Sequence, residues 1–149
     1  MDDNGKCCKE HVHRFFQIMQ KMDSVYEEYA RKNGLTYMSM YILETLYDRR
    51  ECTQKEISEV TLYPKQTVNM VIKSFLEKGW VFLEQSNGDK RSKHVRLTDE
   101  GEIYARAIFE PFWGATYSAF DELDNEKRDV MLQEFALFTR LIIKNVECI

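Results

Sequence analysis

Lys65, Gln66, Thr67 and Asn69 stand close together directly after Pro64, in the stretch PKQTVN. Their side chains carry donors and acceptors of the kind that read base pairs. Lysine donates to guanine O6 or N7, glutamine and asparagine pair bidentately with adenine, and threonine brings a methyl for thymine or a hydroxyl for a phosphate. Lys73, two helical turns beyond Lys65, has the reach for a phosphate. A second cluster follows in NGDKRSKHVRLTDEG, residues 87–101. Asn87-Gly88 is a strong hairpin signal, and a hairpin there pushes Lys90, Arg91 and Lys93 outward. Arg91 at the tip suits a narrow minor groove, whose negative potential draws arginine, while Lys90 and Lys93 suit phosphates. Asp89 is odd beside a polyanion. It makes sense as a brace, because a carboxylate and a guanidinium form paired hydrogen bonds that lysine does not match.

Taken singly, these are an ordinary solvated helix face and an ordinary charged turn. What joins them is the order of the elements that must hold them. Residues 8–32 form an amphipathic helix with Phe15, Ile18, Met19, Met22, Val25, Tyr26 and Tyr29 at spacings of three and four. Asn33-Gly34 ends it. Residues 36–49 form a second helix, with Met38, Tyr41, Ile42, Thr45 and Leu46 expected inward. Thr53-Gln54-Lys55-Glu56 is a capping box opening a short helix. Thr61-Leu62-Tyr63 breaks that helix, and Pro64 suits the first position of the next. This next helix puts Val68, Ile72, Phe75 and Leu76 on one side and Lys65, Asn69 and Lys73 on the other, and Gly79 closes it. Residues 80–85 read as a strand, and a return strand alternates His94 and Arg96 with Val95 and Leu97. Thr98 caps a helix running through Ile103, Tyr104, Ala107 and Ile108, which Pro111 should kink. The last helix, residues 125–146, has an apolar stripe (Val130, Met131, Phe135, Leu137, Phe138, Leu141, Ile142) wider than its own core needs. The fold class is mainly α: a winged helix-turn-helix with a small β-hairpin wing, flanked by N- and C-terminal helices.

Charge agrees with that order. The chain of 149 residues carries a net charge of −4, which taken whole argues against a nucleic-acid partner. Residues 62–98, however, hold 7 Lys/Arg against 3 Asp/Glu, between two acidic flanks. It is the local patch that steers a polyanion. With 44% hydrophobic residues a packed core is available. No apolar run has the length to span a bilayer, and the N-terminal MDDNGKCCKEHVHR lacks a signal core, so a cytoplasmic location is expected. No Gly-rich phosphate loop, nucleophile elbow or HExxH motif is present, and no enzymatic activity is expected.

The sequence of elements, the Asp89-Lys90-Arg91 wing and the Leu97-Thr98-Asp99-Glu100-Gly101 that follows resemble the multiple-antibiotic-resistance regulators, the MarR family. Gly34-Leu35-Thr36 and Leu76-Glu77-Lys78-Gly79 fit the same pattern, and the resemblance covers nearly the whole chain. It implies one MarR-like chain over residues 1–149, with residues 36–98 as the DNA-binding lobe and residues 8–34 and 99–149 as a helical dimerisation region. It implies a homodimer, with Phe138, Leu141 and Ile142 at its interface. It further implies a palindromic double-stranded DNA operator and a repressor released by a small aromatic or phenolic ligand. Met19, Met22, Tyr26, Tyr37, Met38 and Tyr41 are the candidate ligand cleft, although methionines and aromatics at such spacing also make plain core. No cofactor is expected.

Two other switches are open. Peroxide-sensing members of the family carry a reactive cysteine within the first helix. Here Cys7 and Cys8 lie at or before its start, and redox sensing would have to use them with Cys148. Cys7, Cys8, His11 and His13 supply possible metal ligands, but a structural zinc needs four in tetrahedral array. A winged-helix protein-interaction adaptor without DNA binding is the alternative of a different class.

Overall fold

Two threonines set where the second and third helices begin. The chain's structure, a computed structural model, describes residues 3–85 and 93–149, apart from the side chains of residues 3–7. The first helix, α1 (Asp3–Lys32), starts earlier than the apolar spacing indicates. Gly34, at φ 71°, turns the chain out of it, and Leu35 N–H donates back to the Ala30 carbonyl at 3.0 Å. At α2 (Tyr37–Arg49), the Thr36 hydroxyl accepts from Ser39 N–H and the Ser39 hydroxyl accepts from Thr36 N–H. At α3 (Gln54–Thr61), the expected box forms: Thr53 Oγ1 accepts from Glu56 N–H at 3.2 Å, and Glu56 Oε2 accepts from Thr53 N–H at 2.7 Å.

The turn into α4 (Lys65–Glu77) is tied by three side-chain bonds. Thr61 Oγ1 donates to the Ile57 carbonyl at 2.7 Å and accepts from Tyr63 N–H at 3.3 Å. Ser58 Oγ donates to the Tyr63 carbonyl at 2.6 Å. Leu62 takes the left-handed conformation, φ 59°, with 86% of its surface exposed. Pro64 is the N-cap residue of α4, one place before the position expected for it, and its carbonyl receives the N–H of Val68 at 3.1 Å.

The inner faces differ in detail from expectation. On α2, Ile42, Thr45 and Leu46 are buried as expected, but Met38 is 40% exposed, and Met40 and Leu43 take the core positions. On α4, Val68, Ile72 and Phe75 are buried together with Val71, while Leu76 is exposed. In both helices most of the expected positions are buried, and the stripe is turned about the axis by less than one residue.

Three strands form one antiparallel sheet in the order β1-β3-β2: β1 (Glu51–Thr53), β2 (Val81–Gln85) and β3 (Lys93–Leu97). The hairpin strands are those expected, with Val81 opposite Leu97 and Gln85 opposite Lys93. β1 was not anticipated. It pairs Cys52 with Val95, and both are buried. Arg96 draws the three strands together from the outside, its Nη1 at 2.6 Å from Glu84 Oε2 and 3.7 Å from Glu51 Oε2.

The hairpin is fastened to α5 (Asp99–Asp121) by the Leu-Thr-x-x-Gly segment. Thr98 N–H donates to the Trp80 carbonyl at 3.0 Å, and Thr98 Oγ1 donates to the Gly79 carbonyl at 2.7 Å while accepting from Gly101 N–H at 3.0 Å. A Cβ on Gly101 would lie 2.0 Å from the Trp80 carbonyl oxygen. Trp80 stacks on Tyr104 at 4.0 Å between centroids. In α5, Gly101, Ala105, Ile108 and Phe109 are buried, whereas Ile103 and Ala107 are exposed. Pro111 lies inside α5 without ending it.

The chain divides into two compact units, Met1–Ile108 and Phe109–Ile149. In the second, Asp124 caps α6 (Asn125–Val146) by accepting from Lys127 N–H at 2.8 Å, and Arg128 meets Asp121 at 3.3 Å. No residue of α6 is buried.

Candidate nucleic-acid interface

The inner face of α4 is committed to the core, and that commitment fixes what its outer face presents. Lys65, Gln66, Asn69 and Lys73 are all exposed, and Thr67 is half-buried at the edge of the face. Asn69 Nδ2 donates to Oε1 of Gln54, the first residue of α3, at 3.2 Å. Met70, 63% exposed, lies on the same outer surface. Sequence reasoning passed over both Gln54 and Met70. The capping box that marks α3 drew attention to Thr53 and Glu56, and a methionine in an amphipathic helix reads by default as core.

Lys93, at the start of β3, is exposed. Asp89, Lys90 and Arg91 lie outside the described residues, so the proposed brace between Asp89 and Arg91 is a matter of sequence. The cations that are described are not all available. Arg96 is held by Glu84 and Glu51, and Lys78 sits over the Trp80 ring at 4.3 Å from its centroid. A guanidinium or ammonium engaged in this way has less to give a phosphate.

The candidate ligand residues are partly gathered. Tyr26 of α1 stacks on Tyr37 of α2 at 5.8 Å, and Tyr41 meets Tyr63 of the helix-turn-helix edge-on at 6.2 Å. Burial, followed by the neighbouring tyrosines, pushes the Tyr37 phenol above its ordinary range, and burial with Tyr41 does the same at Tyr63. Met22 and Met38 are exposed and Met19 half-buried. A separate open groove of about 450 Å³ runs between the start of α2 and α4, lined by Leu35, Thr36, Met70, Val71, Ser74 and Lys78 among others. None of the six candidate ligand residues lines it.

Of the cysteines, Cys8 and Cys148 are exposed and Cys52 is buried, where desolvation pushes its thiol up to about 11. The Cys7 side chain lies outside the described residues. Among the described residues, no group of three or more His, Cys, Asp and Glu side chains is placed to hold a metal ion. His13 Nε2 is 3.0 Å from Gln17 Nε2. No described helix is long and apolar enough to cross a membrane.

Comparison with known proteins agrees with this architecture. The MarR family model matches residues 33–92, from the end of α1 to just before β3. The transcriptional repressor YetL of Bacillus subtilis is 24% identical over 131 residues, covering 86% of this chain and 78% of its own length. The structure of NMB1585, a MarR family regulator from Neisseria meningitidis, superposes with a TM-score of 0.77 at 21% identity over 92% of this chain and 96% of that one. That of reduced AbfR bound to DNA gives 0.67 at 20% identity over 95% and 97%. The chain thus has the winged helix-turn-helix fold of these solved structures, and its residues 33–92 match the model of the MarR family, whose members are transcriptional regulators.

Proposed function

We propose that the chain is a sequence-specific regulator that grips a palindromic duplex operator as a homodimer, acting as a cytoplasmic repressor. The observation that carries this reading is the outer face of α4. Lys65, Gln66, Asn69 and Lys73 stand exposed on a helix whose opposite face is locked into the core, which is how a recognition helix must be held to enter a major groove. Lys93 and the segment that joins β2 to β3 supply the backbone contacts beside it. Gln66 and Asn69 read adenine, Lys65 reads guanine, Thr67 meets a phosphate or a thymine methyl, and Lys73, Lys90 and Lys93 hold phosphates. Arg91, braced by Asp89, enters the minor groove.

In this reading residues 36–98 are the DNA lobe, and residues 8–34 and 99–149 build the dimer. Support for the dimer comes from α6, where Val130, Met131, Phe135, Leu137, Leu141 and Ile142 are each exposed by two-fifths or more. Large exposed apolar patches mark interfaces. The kinship with YetL, itself named a repressor, supports the sign of regulation. Release would come from a small aromatic or phenolic ligand entering beside Tyr26, Tyr37 and Tyr41 with Met19, Met22 and Met38 around it. The Tyr41–Tyr63 contact would carry the change to the helix-turn-helix.

Selection of bound fragments from the source genome tests the reading. It should enrich inverted repeats whose half-sites lie about 10 base pairs, or roughly 34 Å, apart centre to centre. An absence of enrichment would favour an adaptor that binds protein instead.

A further inference from the structure

Gln54 and Asn69 meet across the helix-turn-helix, fifteen positions apart in sequence, through the 3.2 Å bond from Asn69 Nδ2 to Gln54 Oε1. We propose that Gln54 is a positioning residue that fixes the Asn69 carboxamide in the orientation that reads adenine; this rests on the DNA-binding reading above.

A carboxamide is nearly symmetric in shape and opposite in hydrogen bonding at its two ends. On an exposed helix face an unrestrained asparagine offers either end to a base. Adenine needs both at once, Oδ1 accepting from the N6 amino group and an Nδ2 hydrogen donating to N7. The hydrogen that serves N7 is the one on the same side as Oδ1. The other Nδ2 hydrogen plays no part in that pair, and Gln54 takes up one hydrogen of the two. In the proposed arrangement Gln54 takes the hydrogen trans to Oδ1, which leaves a complete adenine-reading edge, and while it presents Oε1 it opposes the flipped orientation, which would turn Oδ1 toward that oxygen. The helices that carry the two amides are fixed. Gln54 directly follows the Thr53 cap, and α3 and α4 are anchored by the buried Ile57 and Val68. Closing the groove over the pair removes competing water and strengthens the bond.

The test uses the full chain and a duplex selected as above, with every single base-pair substitution of that duplex. Four proteins are compared: wild type, Asn69→Ala, Gln54→Ala and Gln54→Glu. Asn69→Ala should flatten the preference at one A·T position of each half-site, by roughly five- to a hundredfold. Gln54→Ala should flatten the same position and leave the others intact. Gln54→Glu still accepts from Asn69 but adds a negative charge, so it should keep the preference while weakening every duplex by a common factor. Three outcomes would overturn the assignment: a Gln54→Ala loss shared equally by all duplexes, loss of the preference in Gln54→Glu, or an Asn69→Ala profile identical to wild type. A wild type that binds no duplex would overturn the DNA reading itself, and with it the role of Gln54.

Discussion

Gly101 has no room for a side chain. An added methyl would lie 2.0 Å from a backbone oxygen, that of Trp80, which cannot swing aside as the end of a flexible side chain would. Gly101→Ala should therefore cost about 3 kcal/mol, the upper end of what overpacking does, read as a shift in denaturant midpoint; a shift within experimental error would mean that the hairpin base gives way freely. Glu56 makes a prediction of another kind. The Thr53 backbone N–H and hydroxyl donate to its carboxylate and hold it below the usual range. A depressed folded value contributes stability that is present above the unfolded value of about 4.3 and is lost as pH falls through the folded one. Gln keeps the capping acceptor without the charge. The stability of the wild type relative to Glu56→Gln should thus grow as pH rises from about 3 to 5 and then level off. Parallel curves in thermal melts over that range would contradict the linkage.

At the scale of the element, signals that rest on local chemistry were legible, and those that rest on pairing were not. The Thr53–Glu56 box, the Gly79 stop and the two hairpin strands follow from capping and turn rules, and the structure forms each of them. The family pattern Leu97-Thr98-x-x-Gly101 was recognisable as a pattern. Its physical content, a threonine clamped between the Gly79 carbonyl and the start of α5, is a tertiary fact. β1 has only Glu51, Cys52 and Thr53, too few to show an alternation, and it exists because β3 offers it an edge. Periodicity gave the helices and most of their inner faces, but Met38 and Leu76 were placed inward while Met40, Leu43 and Val71 do that work. At the candidate site, the exposed polar face of α4 was legible because cations and amides recur at four-residue spacing. Gln54 was not, since its partner lies on another helix.

At the scale of the molecule, α6 is what a single chain leaves unexplained. Leu141 and Ile142 are 48% and 44% exposed on a helix with no buried residue. Their replacement by glutamate, Leu141→Glu with Ile142→Glu, should give monomers in sedimentation and weaken operator binding through the loss of the second lobe; a dimer that persists would place the interface elsewhere. The net charge of −4 makes the central claim demanding, because a polyanion must be held by a basic segment set between acidic flanks. The most direct measurement is affinity for a selected duplex across a salt series. With Lys73, Lys90 and Lys93 on phosphates in each of two lobes, about six counterions are released, and affinity should fall by roughly a thousandfold between 50 and 200 mM salt. An affinity that stays flat over that range, or no duplex binding at low salt, would contradict the account.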